Sequence, residues 1–169
     1  MRGFSKKGTI EMAATISPAP IRKSFVVRAD PTKAFQVFAH RMHDWSPAVQ
    51  TLTGSRKDIV IEPKPKGRWY EVGEGGKEAD WGHVIEWQPP HRMLLAWQLD
   101  ANYSYNPDFV TEVEVRFTAE GAGTRVDFEH RNLERFGEVG PEFFAGLDGS
   151  GGWSGSIAQY VALLEEGKA

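Results

Sequence analysis

The chain contains no cysteine. That absence excludes disulfides, thiol nucleophiles and thiolate zinc sites together, and it is compatible with a reducing compartment. No apolar run approaches the ~18 residues that suggest a membrane span. The first twenty residues, MRGFSKKGTIEMAATISPAP, carry basic side chains without the apolar stretch that follows them in a secretion signal. The expectation is a cytoplasmic protein. Nor is there a surplus of one charge: 20 Lys and Arg stand against 23 Asp and Glu, with both signs mixed along the chain. Nucleic acid and an anionic membrane surface are therefore not expected as partners.

Aromatic residues, by contrast, are plentiful, at 12% of the chain with six Trp. They call for a large apolar surface that is packed or faces a ligand. A length of 169 residues suits one domain with a real core and is short for two. Residues 1–19, ending in Ser, Pro and Ala, read as a mobile tail in which Met12 is a candidate start, and 20–169 as a single domain.

The segment IRKSFVVRAD is a short strand candidate. Asp30 and Pro31 then supply an N-cap and a first-turn proline, and Ala34, Phe35, Val37 and Phe38 form the apolar stripe of a short helix. A second turn is expected through Met42 and Trp45, before Pro47. From about residue 56 the pattern is strand and hairpin: RKDIVIEP, GRWYEVG, ADWGHVIEW and MLLAWQL, each ending at a turn signal. Alternation is cleanest in TEVEVRF, with Val113, Val115 and Phe117 on one face, and in RVDFEH, with Val126, Phe128 and His130 together. The Gly-rich GLDGSGG precedes a last helix with Trp153, Ile157, Tyr160, Val161 and Leu164 on one face. An antiparallel sheet with one solvated face must bury the other, and the closing helix is the element long enough to cover it.

In that order, the segments IRKSFVVRADPTKAFQVF, IEPKPKGRWYEVGEGGKEADWGHVIEWQPPHRMLLAWQL, TEVEVRFTAEGAGTRVDFEHRNLERFG and the GGW opening the last helix resemble the START-like, or SRPBCC, superfamily of helix-grip domains. The chain is similar in particular to the bacterial branch related to the activator of the heat-shock-protein-90 ATPase, which overlaps with polyketide cyclase-like proteins. The resemblance implies an α+β fold: a curved antiparallel sheet wrapped around a long C-terminal helix, with two short helices after the first strand. It implies no single activity, because the fold hosts carriers, receptors, cyclases and co-chaperones. Where relatives often carry Gly-Gly before RWYE, this chain has Lys66 and Gly67.

Among candidates for chemistry, His130 shares a face with Val126 and Phe128. It would orient a ligand or move a proton at a cavity mouth, or else be a satisfied core histidine. Glu71 shares a face with Trp69; turned inward among aromatics, its carboxyl is expected to have a raised pKa and to act as an acid or bind an amine. The stretch WGHVIEWQPPHRMLLAW leaves its phase open, since Trp81, His83, Ile85 and Trp87 on one side and Gly82, Val84 and Glu86 on the other both contain core residues. His40 and His43 have a helical i, i+3 spacing that suits a metal, but no third ligand is evident, and His91 is expected to be exposed. Glu112, Glu114, Asp127 and Glu129 alternate with Arg116 and Arg125 as an outward charge ladder. GEGG and GLDGSGG lack the ending of a phosphate-binding loop.

The sequence thus supplies a pocket without an evident engine. The expected function is binding of a small apolar or amphipathic molecule, as a carrier, a sensor or in stress, in an aromatic-lined cavity between sheet and C-terminal helix. Its expected lining is Phe38, Trp45, Trp69, Glu71, Trp97, Val115, Phe117, Phe128 and His130, with Trp153 and Ile157 from the helix. No catalytic residue, metal or cofactor is assigned. Two rivals stand beside this reading: a cyclase or hydrolase using His130 or Glu71 as acid or base, and a co-chaperone-like module acting on a protein client. A homodimer through an edge strand or the tail is left open.

Overall fold

The computed structural model describes residues 17–167. Of the tail expected over 1–19, residues 1–16, including Met12, lie outside the described residues. Strand β1 (Ile21–Val27) leads into helices α1 (Pro31–His40) and α2 (Met42–Trp45). Six strands follow: β2 (Arg56–Ile61), β3 (Arg68–Gly73), β4 (Glu78–Gln88), β5 (Arg92–Trp97), β6 (Thr111–Glu120) and β7 (Gly123–Arg131). Helices α3 (Pro141–Asp148) and α4 (Trp153–Glu165) close the chain.

All seven strands form one antiparallel sheet in the order β1-β7-β6-β5-β4-β3-β2. The six strands after α2 are a simple meander, in which each strand pairs with the next in sequence. Strand β1 adds itself beside β7 and places α1 on the inner face. There α1, α2 and α4 together cover the sheet, in the helix-grip arrangement that the sequence predicts. No helix among the described residues is long and apolar enough to cross a membrane.

Local chemistry explains the helices. The Asp30 carboxylate accepts from Lys33 N–H at 2.8 Å and caps α1, and Pro31 occupies a first-turn position where no N–H is needed. Tyr160 of α4 donates its hydroxyl to the Ala34 carbonyl at 2.7 Å, pinning α4 to α1. The Trp45 indole N–H donates to the Val37 carbonyl at 3.2 Å, folding α2 back on α1. Residues 141–148 form a helix that the sequence pattern hides. Gly146 and Asp148 look like part of a glycine loop, yet Leu147 is buried in the core, and its packing outweighs the cost of about 1 kcal/mol for a helical glycine.

Strand β4 settles the open phase by adopting neither alternative throughout. Register shifts fall at Trp69/Tyr70 against β3 and at Val84/Glu86 against β5. Each bulge turns the strand over by one residue, so Trp81, Val84 and Trp87 all reach the core side at intervals of three. Gly82, between Trp69 of β3 and Trp97 of β5, lies so close to its neighbour that a Cβ there would sit 1.8 Å from the Ala96 carbonyl oxygen. The missing side chain lets the Trp69 and Trp97 rings meet at 5.9 Å.

Candidate functional site

The middle of the grip is filled. Phe38 packs on Trp45 at 4.7 Å, on Tyr160 at 5.4 Å and on Phe117 at 6.0 Å, and all four rings are buried. Val115, Phe128, Trp69 and Ile157 are buried in the same cluster. None of these residues borders the cavity that Trp81 and Trp97 line, which opens at one end of the sheet. Of the residues expected to form its lining, Trp97 faces that cavity, and Trp97 and Trp153 both face a narrow extension beneath it.

This cleft has a volume of about 360 Å³ and is lined by Val49, Gln50, Thr51, Leu52, Trp81, Trp97, Leu99, Tyr103 and Gly151. It lies between the β4–β5 wall, the loop joining α2 to β2, the β5–β6 loop and the start of α4. The extension runs toward Met42, Leu147, Trp153 and Ser156 but holds only about 20 Å³. Trp69, Trp81, Trp97 and Trp153 form a chain of rings behind it, with centroids 5.7–6.2 Å apart between neighbours. No charged side chain borders the cleft, and its two indole N–H groups are already used. Trp81 donates to Glu71 at 3.0 Å, and Trp97 donates to the Leu99 carbonyl at 2.9 Å.

Glu71 points inward and is fully buried, yet it stands behind the cleft wall. Its Oε1 accepts from the Leu52 N–H at 2.7 Å and from Trp81; its Oε2 accepts from the Thr53 N–H at 3.0 Å, the Thr53 hydroxyl at 2.8 Å and the Thr51 hydroxyl at 3.0 Å. The expectation of a raised pKa is corrected here. Burial pushes the carboxyl up, but the donors from Leu52, Thr53 and Trp81 outweigh it and hold the group below its ordinary value. Glu71 is thus an ionised clasp for residues 51–53, which form one wall of the cleft. Arg56 braces the same loop by donating to the Ser46 and Gln50 carbonyls and to His43 Nδ1.

His130 is also fully buried, and its partners are side chains. The Trp153 indole N–H donates to Nδ1 at 3.0 Å, so the ring proton sits on Nε2, which donates to Thr111 Oγ1 at 2.7 Å. Burial pushes its pKa down to about 3. The ring is a neutral bracket between β6, β7 and α4, and it stacks 5.1 Å from Trp97.

The other candidates are scattered. His40 and His91 are exposed, and His43 is engaged with Arg56. Among the described residues no three His, Asp or Glu side chains converge as a metal site would require. The carboxylates of β6 and β7 form a ladder on the outer sheet face, where Arg92 bonds Glu114 at 2.6 Å, Arg131 bonds Glu112 at 3.2 Å and Arg22 bonds Glu129 at 2.6 Å.

Residues 28–165 match the family model described as "Activator of Hsp90 ATPase homolog 1-like protein". The chain belongs to this family. Among solved structures, this Hsp90-activator-like domain is similar to the anthrahydroquino-γ-pyrone synthase Txn09, with 36% identity over 86% of this chain and 97% of that one and a TM-score of 0.62. It is also similar to CalC, a self-sacrificing resistance protein from Micromonospora echinospora, with 28% identity over 89% and 96% of the two chains and a TM-score of 0.65. The Aha1 dimer from Colwellia psychrerythraea shares the fold at 17% identity, covering 90% of this chain and all of that one, with a TM-score of 0.63. No curated protein gives a significant match. Family and neighbours support a ligand-binding or cyclase-type role for the domain.

Most residues bordering the cleft escape sequence reasoning because they lie in loops, where no periodicity marks an inward face. Thr51 and Thr53 in TLTG left a trace, two hydroxyls spaced to converge on one acceptor. Tyr103 in DANYS left another, an aromatic following an Asp that favours tight turns.

Proposed function

We propose that this domain binds an uncharged, largely apolar aromatic molecule in the cleft against Trp81 and Trp97. The observation that carries this reading is the wall itself: two indole rings whose N–H groups are spent internally, so that they offer a ligand π-faces and apolar edges. A volume of about 360 Å³ falls at the lower end of the range for small-molecule pockets. Glu71 and Arg56 hold the loop wall in place, which lowers the ordering cost of binding.

A synthase-type reading stands second, favoured by the 36% identity to Txn09. In it the cleft folds a flexible precursor into a reactive shape, and the proton movements fall to the substrate or to water. Glu71, saturated with donors, and His130, locked neutral, are both poorly suited to carry a proton.

The test is native mass spectrometry of protein purified gently from its source, followed by extraction of any bound molecule and its titration back against Trp emission. A co-purifying aromatic that quenches Trp emission on return supports binding, and a change in its mass on incubation supports turnover. Protein that is empty and unresponsive to an aromatic and lipid panel overturns both and directs attention to a protein client.

A further inference from the structure

The cleft has a polar side chain left over. Of the side-chain donors bordering it, Trp81 and Trp97 are bonded within the protein, the Thr51 hydroxyl donates to Glu71, and the Gln50 amide donates to the Gly151 carbonyl. Among the described residues the Tyr103 hydroxyl is engaged in none of these bonds, and the Gln50 amide has a second N–H besides the one on Gly151. Tyr103 is also 45% exposed, a large aromatic left at the rim of an apolar opening.

Its position is built rather than incidental. Asp100 accepts on its carboxylate from Asn102 N–H at 2.9 Å and Ser104 N–H at 3.1 Å, while its carbonyl accepts from Tyr103 N–H at 2.9 Å. The ends of this hairpin are fastened by the Leu99–Tyr105 bridge and by the Asn106 N–H donating to the Gln98 carbonyl at 2.9 Å. The turn holds Tyr103 at φ 56°, a left-handed conformation that a bulky residue adopts at a cost of about 1–2 kcal/mol. The ring rests 6.2 Å from Phe143 of α3, and both Tyr103 and Val49 line the cleft.

We propose that Tyr103 is the recognition residue of the cleft. Its ring closes on a planar uncharged aromatic stacked against Trp81 and Trp97, and its hydroxyl donates to a carbonyl oxygen of that ligand. This rests on the ligand-binding reading above and names the class of ligand within it. Burial raises the phenol above its ordinary pKa of 10.0, so the hydroxyl carries its proton and is available to donate at neutral pH. The absence of any cation on the cleft lining excludes a carboxylate or phosphate as the anchored group.

The test compares anthraquinone with anthracene, two ring systems of the same shape of which only the first has carbonyl acceptors. Each is titrated by quenching of Trp emission against the full-length protein and against Tyr103→Phe and Tyr103→Ala. The wild type is expected to bind anthraquinone roughly three- to tenfold tighter than anthracene. Tyr103→Phe removes that preference and leaves anthracene affinity unchanged, whereas Tyr103→Ala weakens both. If anthraquinone binds and Tyr103→Phe keeps the wild-type preference, the inference fails while ligand binding stands. If neither probe binds the wild type, the inference is overturned, and the ligand reading is decided separately by the native mass spectrometry above.

Discussion

Glu71 and Trp81 meet across adjacent strands through an indole N–H to carboxylate hydrogen bond of 3.0 Å, with the cleft on the far side of the indole. The ring that faces the cavity is therefore oriented by a charge that the cavity never sees. The same carboxylate fastens the Leu52 and Thr53 backbone, so the sheet wall and the loop wall of the cleft share one anchor.

Replacing that anchor by its neutral isostere should separate the two walls. Glu71→Gln presents an amide N–H₂ to donors that need an acceptor, and one or two of them lose their partner. A loss of about 2–4 kcal/mol in urea unfolding is expected, with faster amide exchange confined at first to residues 51–53. The pH dependence has the same origin. Because the folded carboxyl lies below its ordinary value of 4.5, its stabilisation is present above that pH and is lost as pH falls through the lower folded value. Unchanged exchange at Leu52 and Thr53 in the variant would count against the clasp.

His130 predicts a second acid effect at higher pH. The folded ring titrates at about 3, whereas an unfolded histidine titrates near 6.5. Between those values the unfolded chain binds the extra proton, so stability falls as pH is lowered. Going from pH 6.5 to pH 5 should cost the wild type about 2 kcal/mol from this group. His130→Asn should be less stable at pH 7 and lose that part of the acid slope. Denaturant unfolding at both pH values measures it, and equal slopes would refute the neutral bracket.

Lys66 offers a gain. It sits at φ 66° in the turn before β3, the position where the resemblance led us to expect glycine. Relief of the left-handed penalty exceeds the added freedom of the unfolded chain, so Lys66→Gly should stabilise by about 0.5–1 kcal/mol. Calorimetry should show a midpoint about 1–4 °C higher. Lys66→Ala, which keeps the Cβ, should show no such gain.

The charge ladder, the α1 cap and the β6–β7 alternation were legible because each is a local rule: Asp30 before Pro31, or Val126 and Phe128 two residues apart. The phase of β4 was not legible, because two bulges defeat strict alternation and a bulge is dictated by the partner strands. The sequence alone points to a raised pKa for Glu71, because burial is foreseeable from it and the donors are not. Leu52 and Thr53 lie almost twenty residues away in a loop with no periodic signal. Gly146 reads as loop in the sequence because its one helical justification, the burial of Leu147, exists only after folding.

The order of elements and the amphipathic faces follow from the sequence alone, since hydrophobic period and residue chemistry are local properties. Tertiary structure decided where empty space remains. Phe38, Trp45, Phe117 and Tyr160 interlock and fill the centre of the grip, so the cleft against Trp81 and Trp97 lies at the end of the sheet, where loops rather than the helix face those rings. A cavity is what packing leaves over, and packing is a property of all the side chains together.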